Sequence, residues 1–246
     1  MASVRTEEVT IDVEGQKMPA FLALPAGAGP HPAVIVFEEI FGVNTHIRDV
    51  AQRLAGEGYV ALAPDYHHRA WTPGTQLGYT DADGQRGMAL IPKLSAEGLT
   101  ADIAAARGYL ATRAEVKPGK LGAIGFCIGG HAAYFAAATQ PISATVAFYG
   151  GGIATFGPGG SQKTVERTGG IKGRILCLFG KQDPMIPAEQ VQTIKAALAH
   201  YEVRHEVVVY DDATHGFFCD QRGSYNPQAA ADAWERVKRF FAEELG

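Results

Sequence analysis

The stretch Lys120-Leu121-Gly122-Ala123-Ile124-Gly125-Phe126-Cys127-Ile128-Gly129-Gly130-His131-Ala132-Ala133 decides the fold. An apolar run, Leu121 to Phe126, enters Gly125-x-Cys127-x-Gly129 and leaves into small residues with helical character, so the chain passes from strand through a tight turn to helix. Glycines two residues before and after Cys127 remove side chains that would collide on a strained turn. The turn lies at the carboxyl end of the strand, which pushes Cys127 into the open beside a helix N-terminus. That helix end favours negative charge, so it suits a thiolate and leaves the Ile128 N–H free for an oxyanion. A buried structural cysteine in a Gly-rich turn fits the same pattern, so the motif needs partners.

Outward from this turn, short continuous apolar runs recur at Ala33 to Phe37, Tyr59 to Ala63, Ala144 to Tyr149, Ile175 to Phe179 and Glu206 to Tyr210, each long enough for a strand buried on both faces. Helical stretches lie between them: Asn44 to Ala55, Thr100 to Arg113, Gly130 to Ala138, Pro187 to His200 and Asn226 to Leu245. This alternation predicts an α/β fold with a mostly parallel sheet and helices on both faces. Val9 to Val13 and Pro19 to Leu24, separated by Glu14-Gly15-Gln16-Lys17, predict a leading antiparallel hairpin. No segment reads as a linker, so residues 1–246 are expected to form a single domain. Two irregular stretches, Tyr66 to Gly98 and the Gly-rich Gly150 to Gly173, are candidates for loops that face a substrate.

The partners of Cys127 follow in order. Asp183 lies just past the strand Arg174 to Phe179, and His215 lies in the loop after the last strand. Nucleophile, acid, histidine is the chain order of α/β-hydrolases, and all three fall at carboxyl ends of predicted strands. Asp211 or Asp212 could supply the acid instead. His31, His46, His67 and His68 show no HxH or HExxH spacing with a third carboxylate, so no metal site is expected and they read as surface or loop histidines.

Composition narrows the function. The 246 residues are 46% hydrophobic and 20% charged, with a formal net charge of −4 and no basic run, which argues against nucleic acid or a membrane surface as partner. Three scattered cysteines cannot build a disulfide framework, the N-terminal Met1 to Glu8 lacks the apolar stretch of a signal peptide, and no segment has ~18 uninterrupted apolar residues. A cytoplasmic protein is expected.

These residues resemble the dienelactone hydrolases (carboxymethylenebutenolidases) of the α/β-hydrolase superfamily over nearly the whole chain. The likeness rests on Glu38-Glu39-Ile40-Phe41-Gly42-Val43-Asn44, on Pro64-Asp65 with Pro73-Gly74-Thr75, on Gly125-Phe126-Cys127-Ile128-Gly129-Gly130, on Gly180-Lys181-Gln182-Asp183 and on His215-Gly216-Phe217. The resemblance implies a triad of Cys127, His215 and Asp183, a glutamate at Glu39 that helps generate the thiolate, and oxyanion donors at the N–H groups of Ile40 and Ile128. Glu39 follows a buried strand, a partly apolar place in which a carboxylate can act as a base; a helix-preceding carboxylate satisfied by backbone N–H groups is the alternative. Glu38 would be its neighbour at the rim.

The substrate region departs from the family. Arg86 falls near the first of two carboxylate-binding arginines, but Leu90 and Lys93 stand where the family has a tyrosine and a tryptophan, and Cys219 takes the second arginine's place with Arg222 three residues on. Arg86 and Arg222 could hold a substrate carboxylate; Phe41, Trp71 and Phe217 could accommodate an aromatic or apolar ester. The expectation is a cofactor-free, cysteine-dependent hydrolase of a small ester or lactone, acting as a monomer. A redox-responsive or ligand-binding thiol protein on the same fold is the alternative, though it would not require the histidine and acid.

Overall fold

Strand and helix alternation resolves into one eight-stranded sheet in the computed structural model, which describes residues 4–246. Met1 to Ser3, the start of the stretch read against a signal peptide, lie outside the described residues. In chain order the elements are β1 (Arg5–Val13), β2 (Gln16–Leu24), β3 (His31–Phe37), α1 (Thr45–Gly56), β4 (Val60–Pro64), α2 (Asp81–Met88), α3 (Ala96–Ala111), β5 (Val116–Phe126), α4 (Ile128–Thr139), β6 (Ala144–Phe148), β7 (Arg174–Gly180), α5 (Ala188–His200), β8 (His205–Tyr210) and α6 (Pro227–Leu245). The sheet order is β1-β2-β4-β3-β5-β6-β7-β8. The first two strands pair antiparallel, β2 also pairs antiparallel with β4, and all other pairings are parallel.

The hairpin turn is tighter than the sequence suggested. Gln16 and Lys17 join the ladder opposite Val13 and Asp12, leaving Glu14 and Gly15 as a two-residue turn with φ of 53° and 84°. Two successive positive φ angles match the right-handed twist of the flanking strands.

Side-chain alternation on β3 shows how the layers form. Val34 and Val36 join Ile47, Val50 and Leu54 of α1 and Val237 and Phe241 of α6 on one face. Ala33, Ile35 and Phe37 join Leu99, Ile103 and Leu110 of α3 and Ala132 and Phe135 of α4 on the other. Helix starts are set by side-chain caps: Asn44 accepts from Ile47 N–H at 3.4 Å, Ser95 from Gly98 N–H at 3.0 Å and Asn226 from Ala229 N–H at 3.0 Å. Among the described residues no helix is long and apolar enough to cross a membrane.

The stretch Tyr66 to Gly98 is more ordered than expected, since it contains α2. The segment Asp81–Met88 escapes periodicity because its eight residues, DADGQRGM, bury only Gly87. The chain order switches at β3, whose neighbours β4 and β5 lead away in opposite directions. Open α/β sheets bind ligands outside the carboxyl ends of the strands at such a point. The residues found there are Glu38 to Ile40 after β3 and Cys127 after β5.

Candidate active site

Cys127 joins β5 to α4 with φ 57° and ψ −122°, a conformation that non-glycine residues seldom adopt. The flanking glycines allow it by close approach. A methyl on Gly125 would overlap the carbonyl of Gly129, one on Gly129 would overlap the carbonyls of Phe37 and Glu38, and one on Gly130 would press on the carbonyl of Phe148. The turn is thereby seated directly against the ends of β3 and β6. Cys127 N–H donates to the Phe148 carbonyl at 3.1 Å, and the side chain stands at the N-terminus of α4, only 7% exposed.

His215 Nδ1 lies 2.7 Å from Asp183 Oδ2, and both residues are buried. Asp183 Oδ1 also accepts from Met185 N–H at 2.8 Å, which fixes the carboxylate. The other ring nitrogen, Nε2, is buried beside Cys127 without an aligned hydrogen bond. Burial alone would pull His215 down; the charge of Cys127 and the hydrogen bond to Asp183 outweigh it and raise the ring to about 10. Asp211 is exposed and pairs with Lys181 at 2.8 Å, so of the candidate acids it is Asp183 that touches the histidine.

Two backbone donors on the neighbouring turns have no hydrogen-bond partner among the described residues. Ile128 is the first residue of α4 and has no carbonyl one turn earlier for its N–H. Among the described residues the N–H of Ile40 makes no loop hydrogen bond either. Both side chains pack with Phe41 and Leu77 in one small apolar cluster.

Glu39 is 1% exposed and Arg222 Nη1 donates to its Oε1 at 3.0 Å, while Oε2 has no partner. Backbone N–H groups do not satisfy it. Arg222 lies over the faces of Phe41 and Tyr79, 5.6 Å from each ring centre, and against the bare Cα of Gly216, where any side chain would collide with the guanidinium. Position 216 also has φ 80°, so glycine is required twice over.

Two tyrosines were not legible in the sequence. Tyr149, at the end of β6 with φ 35°, presents its ring edge to His215 at 5.1 Å and buries a hydroxyl with no partner. The run Tyr149-Gly150-Gly151-Gly152 was the available signal, a strand end needing unusual backbone. Tyr79 receives hydrogen bonds from Asn44 Nδ2 at 3.1 Å and from the Cys219 thiol at 3.3 Å.

Several expectations are corrected. Phe217 is fully buried among Phe148, Tyr149 and Tyr210, so it supports the site from below and does not line it. Arg86 leaves its side chain 66% exposed with Asp83 3.9 Å away; it is Gly87 of the same helix that packs on Ile40. Arg222 is engaged by Glu39. Trp71 donates to Asp65 Oδ1 at 3.3 Å, packs beside Gly42 and lies against the cluster of Ile40, Phe41, Leu77 and Ile128, so unlike Phe217 it is not excluded from the site. Phe41 is at the site, edge-on to Tyr79 at 4.7 Å. Cys219 is buried and not at a rim; burial and the Glu39 charge push its thiol up to about 11. Cys177, as expected in a strand core, is pushed by burial to about 12. His46, His67 and His68 are buried and not on the surface, and Glu38 is fully buried and not at a rim. Sequence spacing cannot reveal these burials, because the groups around them come from distant segments.

Both irregular stretches converge on the site. Leu77, Tyr79, Ile91, Leu94 and Phe156 pack onto Ile40, Phe41 and Ile128, and the Leu77 N–H donates to the Phe41 carbonyl at 2.8 Å.

Comparison with known proteins identifies the family and the fold. Residues 18–245 match the family model described as "Dienelactone hydrolase family". A protein of Synechocystis sp. named "Putative carboxymethylenebutenolidase" is 43% identical over 242 residues, covering 98% of both chains. Among solved structures, a Klebsiella pneumoniae protein titled "Putative Dienelactone Hydrolase" superposes with a TM-score of 0.87 at 34% identity, over 98% of this chain and 99% of that one. A dienelactone hydrolase-like promiscuous phosphotriesterase from metagenomic libraries, P91, gives 0.80 at 25% identity, over 99% and 100%. The chain therefore has the α/β-hydrolase fold and belongs to the dienelactone hydrolase family of hydrolases.

Proposed function

We propose that this hydrolase cleaves small carboxylic esters or lactones through an acyl-enzyme on Cys127. What supports this reading most is one junction: a cysteine on a strained turn at a helix N-terminus, beside an imidazole that Asp183 holds and that favours its protonated form. The Cys127 thiolate attacks the carbonyl carbon, and the N–H groups of Ile40 and Ile128 receive the oxyanion. As the tetrahedral intermediate collapses, His215 gives its Nε2 proton to the departing alkoxide, which leaves as an alcohol or, from a lactone, stays tethered as a hydroxyl. Neutral His215 then takes a proton from water, the hydroxide attacks the thioester, and the carboxylic acid departs as Cys127 returns to thiolate and His215 to imidazolium. Glu39 serves as the auxiliary base that keeps Cys127 ionised.

Residues 1–246 act in this reading as one domain and a monomer, in a reducing cytoplasm that keeps Cys127 reduced, with no cofactor in the chemical steps. With Arg222 engaged by Glu39 and Arg86 exposed, the walls that remain for substrate are apolar: Ile40, Phe41 and Ile128. The substrate class is therefore an apolar or aromatic ester or lactone, with a free carboxylate optional. Replacing Cys127 with Ala, assayed on esters and lactones with and without a free carboxylate, is expected to cut kcat by roughly 10⁴-fold or more while leaving the melting temperature nearly unchanged. Retained turnover would overturn the assignment.

A further inference from the structure

The turn after β3 carries a second carboxylate that the proposed chemistry does not use. Glu38 is fully buried, and neither of its side-chain oxygens has an aligned hydrogen-bond partner, although the His67 backbone N–H and the Asp65 carboxyl lie against it. His67, also fully buried, has no aligned partner at either ring nitrogen. Yet His67 Nδ1 lies 2.9 Å from Glu38 Oε1. The two polar atoms are in contact without the alignment of a hydrogen bond, so each keeps capacity for a further partner. Asp65 completes the group: one ligand atom from each of Glu38, Asp65 and His67 lies within 4.8 Å of the others.

The 2.9 Å spacing of Glu38 and His67 suits a cation. Ligand atoms about 2.0–2.2 Å from a metal, at neighbouring coordination positions, stand roughly 3 Å apart. Asp65 is already oriented for such a role, since its Oδ2 accepts from Gly74 N–H at 2.7 Å and its Oδ1 from Trp71 Nε1 at 3.3 Å, leaving lone pairs on both oxygens. Asp65 is the member of the group nearest solvent. A surface cleft of ≈ 220 Å³ reaches Asp65 past Pro19, Phe21 and Gly74. A desolvated carboxyl group and an imidazole without aligned partners are costly to bury, and a divalent cation would satisfy both, with Asp65 as a third ligand.

We propose that Glu38, Asp65 and His67 form a binding site for one divalent transition-metal cation, with zinc the best match to two carboxylates and one imidazole and water filling the open position. The site would pin Glu38 at the end of β3, and the two residues that follow it are Glu39 and Ile40. A second group, Glu39, His46 and Cys219, has ligand atoms equally close, but Glu39 is paired with Arg222 and Cys219 with Tyr79. Both oxygens of Glu38 and both ring nitrogens of His67 lack aligned partners, against one atom each of Glu39 and His46, which favours the Glu38 group.

The test loads chelator-stripped full-length protein with zinc and measures bound metal per chain, calorimetric affinity and melting temperature. One equivalent is expected, with the melting temperature raised by several degrees, and Glu38→Gln or His67→Gln should weaken binding by at least about 100-fold, more than loss of an outer-shell partner costs. Cys127→Ala and Cys219→Ser should bind zinc as the wild type does. Cobalt in the wild-type protein gives a readout that needs no variant: a spectrum without sulfur-to-cobalt charge transfer supports the oxygen and nitrogen site, and one with it overturns the assignment. Failure of the wild type to bind zinc, unchanged binding in both Glu38→Gln and His67→Gln, or loss of binding in Cys219→Ser would each overturn it too.

Discussion

The turn after β5 and the turn after β3 meet at the same point of the sheet, yet they are built by different means. Around Cys127 the geometry is imposed by residues within five positions: Gly125, Gly129 and Gly130 carry no side chain because carbonyls occupy that space. Around Glu38 and Glu39 the local sequence fixes little. Successive residues leaving a strand point to opposite sides, so one carboxylate meets Arg222 and the other meets His67 and Asp65. Short-range sterics can place a cysteine on a strained turn, but a carboxylate's surroundings depend on partners delivered by other loops.

The sharpest break of this comparison is Gly125→Ala. Relief of the overlap with the Gly129 carbonyl requires moving backbone, so the expected loss exceeds about 4 kcal/mol or prevents folding, read by denaturant titration. A fully stable Gly125→Ala protein would show the elbow to be less constrained than its packing indicates.

At the other turn, Arg222→Met removes the partner of a carboxylate that is 1% exposed. Breaking a buried pair this way costs about 3 kcal/mol, somewhat less here because the arginine is partly exposed. Arg222→Met together with Glu39→Gln should recover most of that stability, because no charge is then left unpaired, and the double-mutant cycle measures it.

Acid provides a gentler probe of the elbow helix. His131, next to Gly130, is held by the Gly151 carbonyl at 3.0 Å and the Thr164 hydroxyl at 2.6 Å. Burial pulls it from 6.5 to about 4, against the opposing pull of the Gly151 carbonyl. Below pH 6.5 the unfolded chain takes up a proton that the folded chain refuses until about pH 4. Stability from this residue is therefore full above pH 6.5 and lost as pH falls through that window, by about 3 kcal/mol at most. His131→Gln should flatten the acid limb of a melting-temperature profile.

The smallest expected effect is at Tyr149→Phe, which deletes a buried hydroxyl that bonds to nothing. Stability should stay the same or rise by about 1 kcal/mol. A clear loss would mean that the hydroxyl is satisfied in solution, for example by water.

Much of the sheet was readable in advance. β3, β4, β6, β7 and the second half of β5 appear as continuous apolar runs because a strand covered on both faces has no polar side to show. β8, expected to be buried on both faces, is instead the edge strand and buries none of its residues. Helix α2 was not readable, since Asp81-Ala82-Asp83-Gly84-Gln85-Arg86-Gly87-Met88 lacks an apolar stripe and is held by contact with Ile40. Arg86 looked like a site residue and Gly87 did not; the contacts are the reverse.

The sequence by itself determined the alternation of strand and helix, the glycine-flanked cysteine and the order Cys127, Asp183, His215, because backbone sterics and periodic burial act over a few residues. Only the tertiary structure decided which aspartate meets His215, that Arg222 pairs with Glu39, that Phe217 lies beneath the site and that Glu38, Asp65 and His67 share one buried space. Those outcomes depend on distances between segments tens of residues apart, and long-range packing sets such distances without leaving a local pattern.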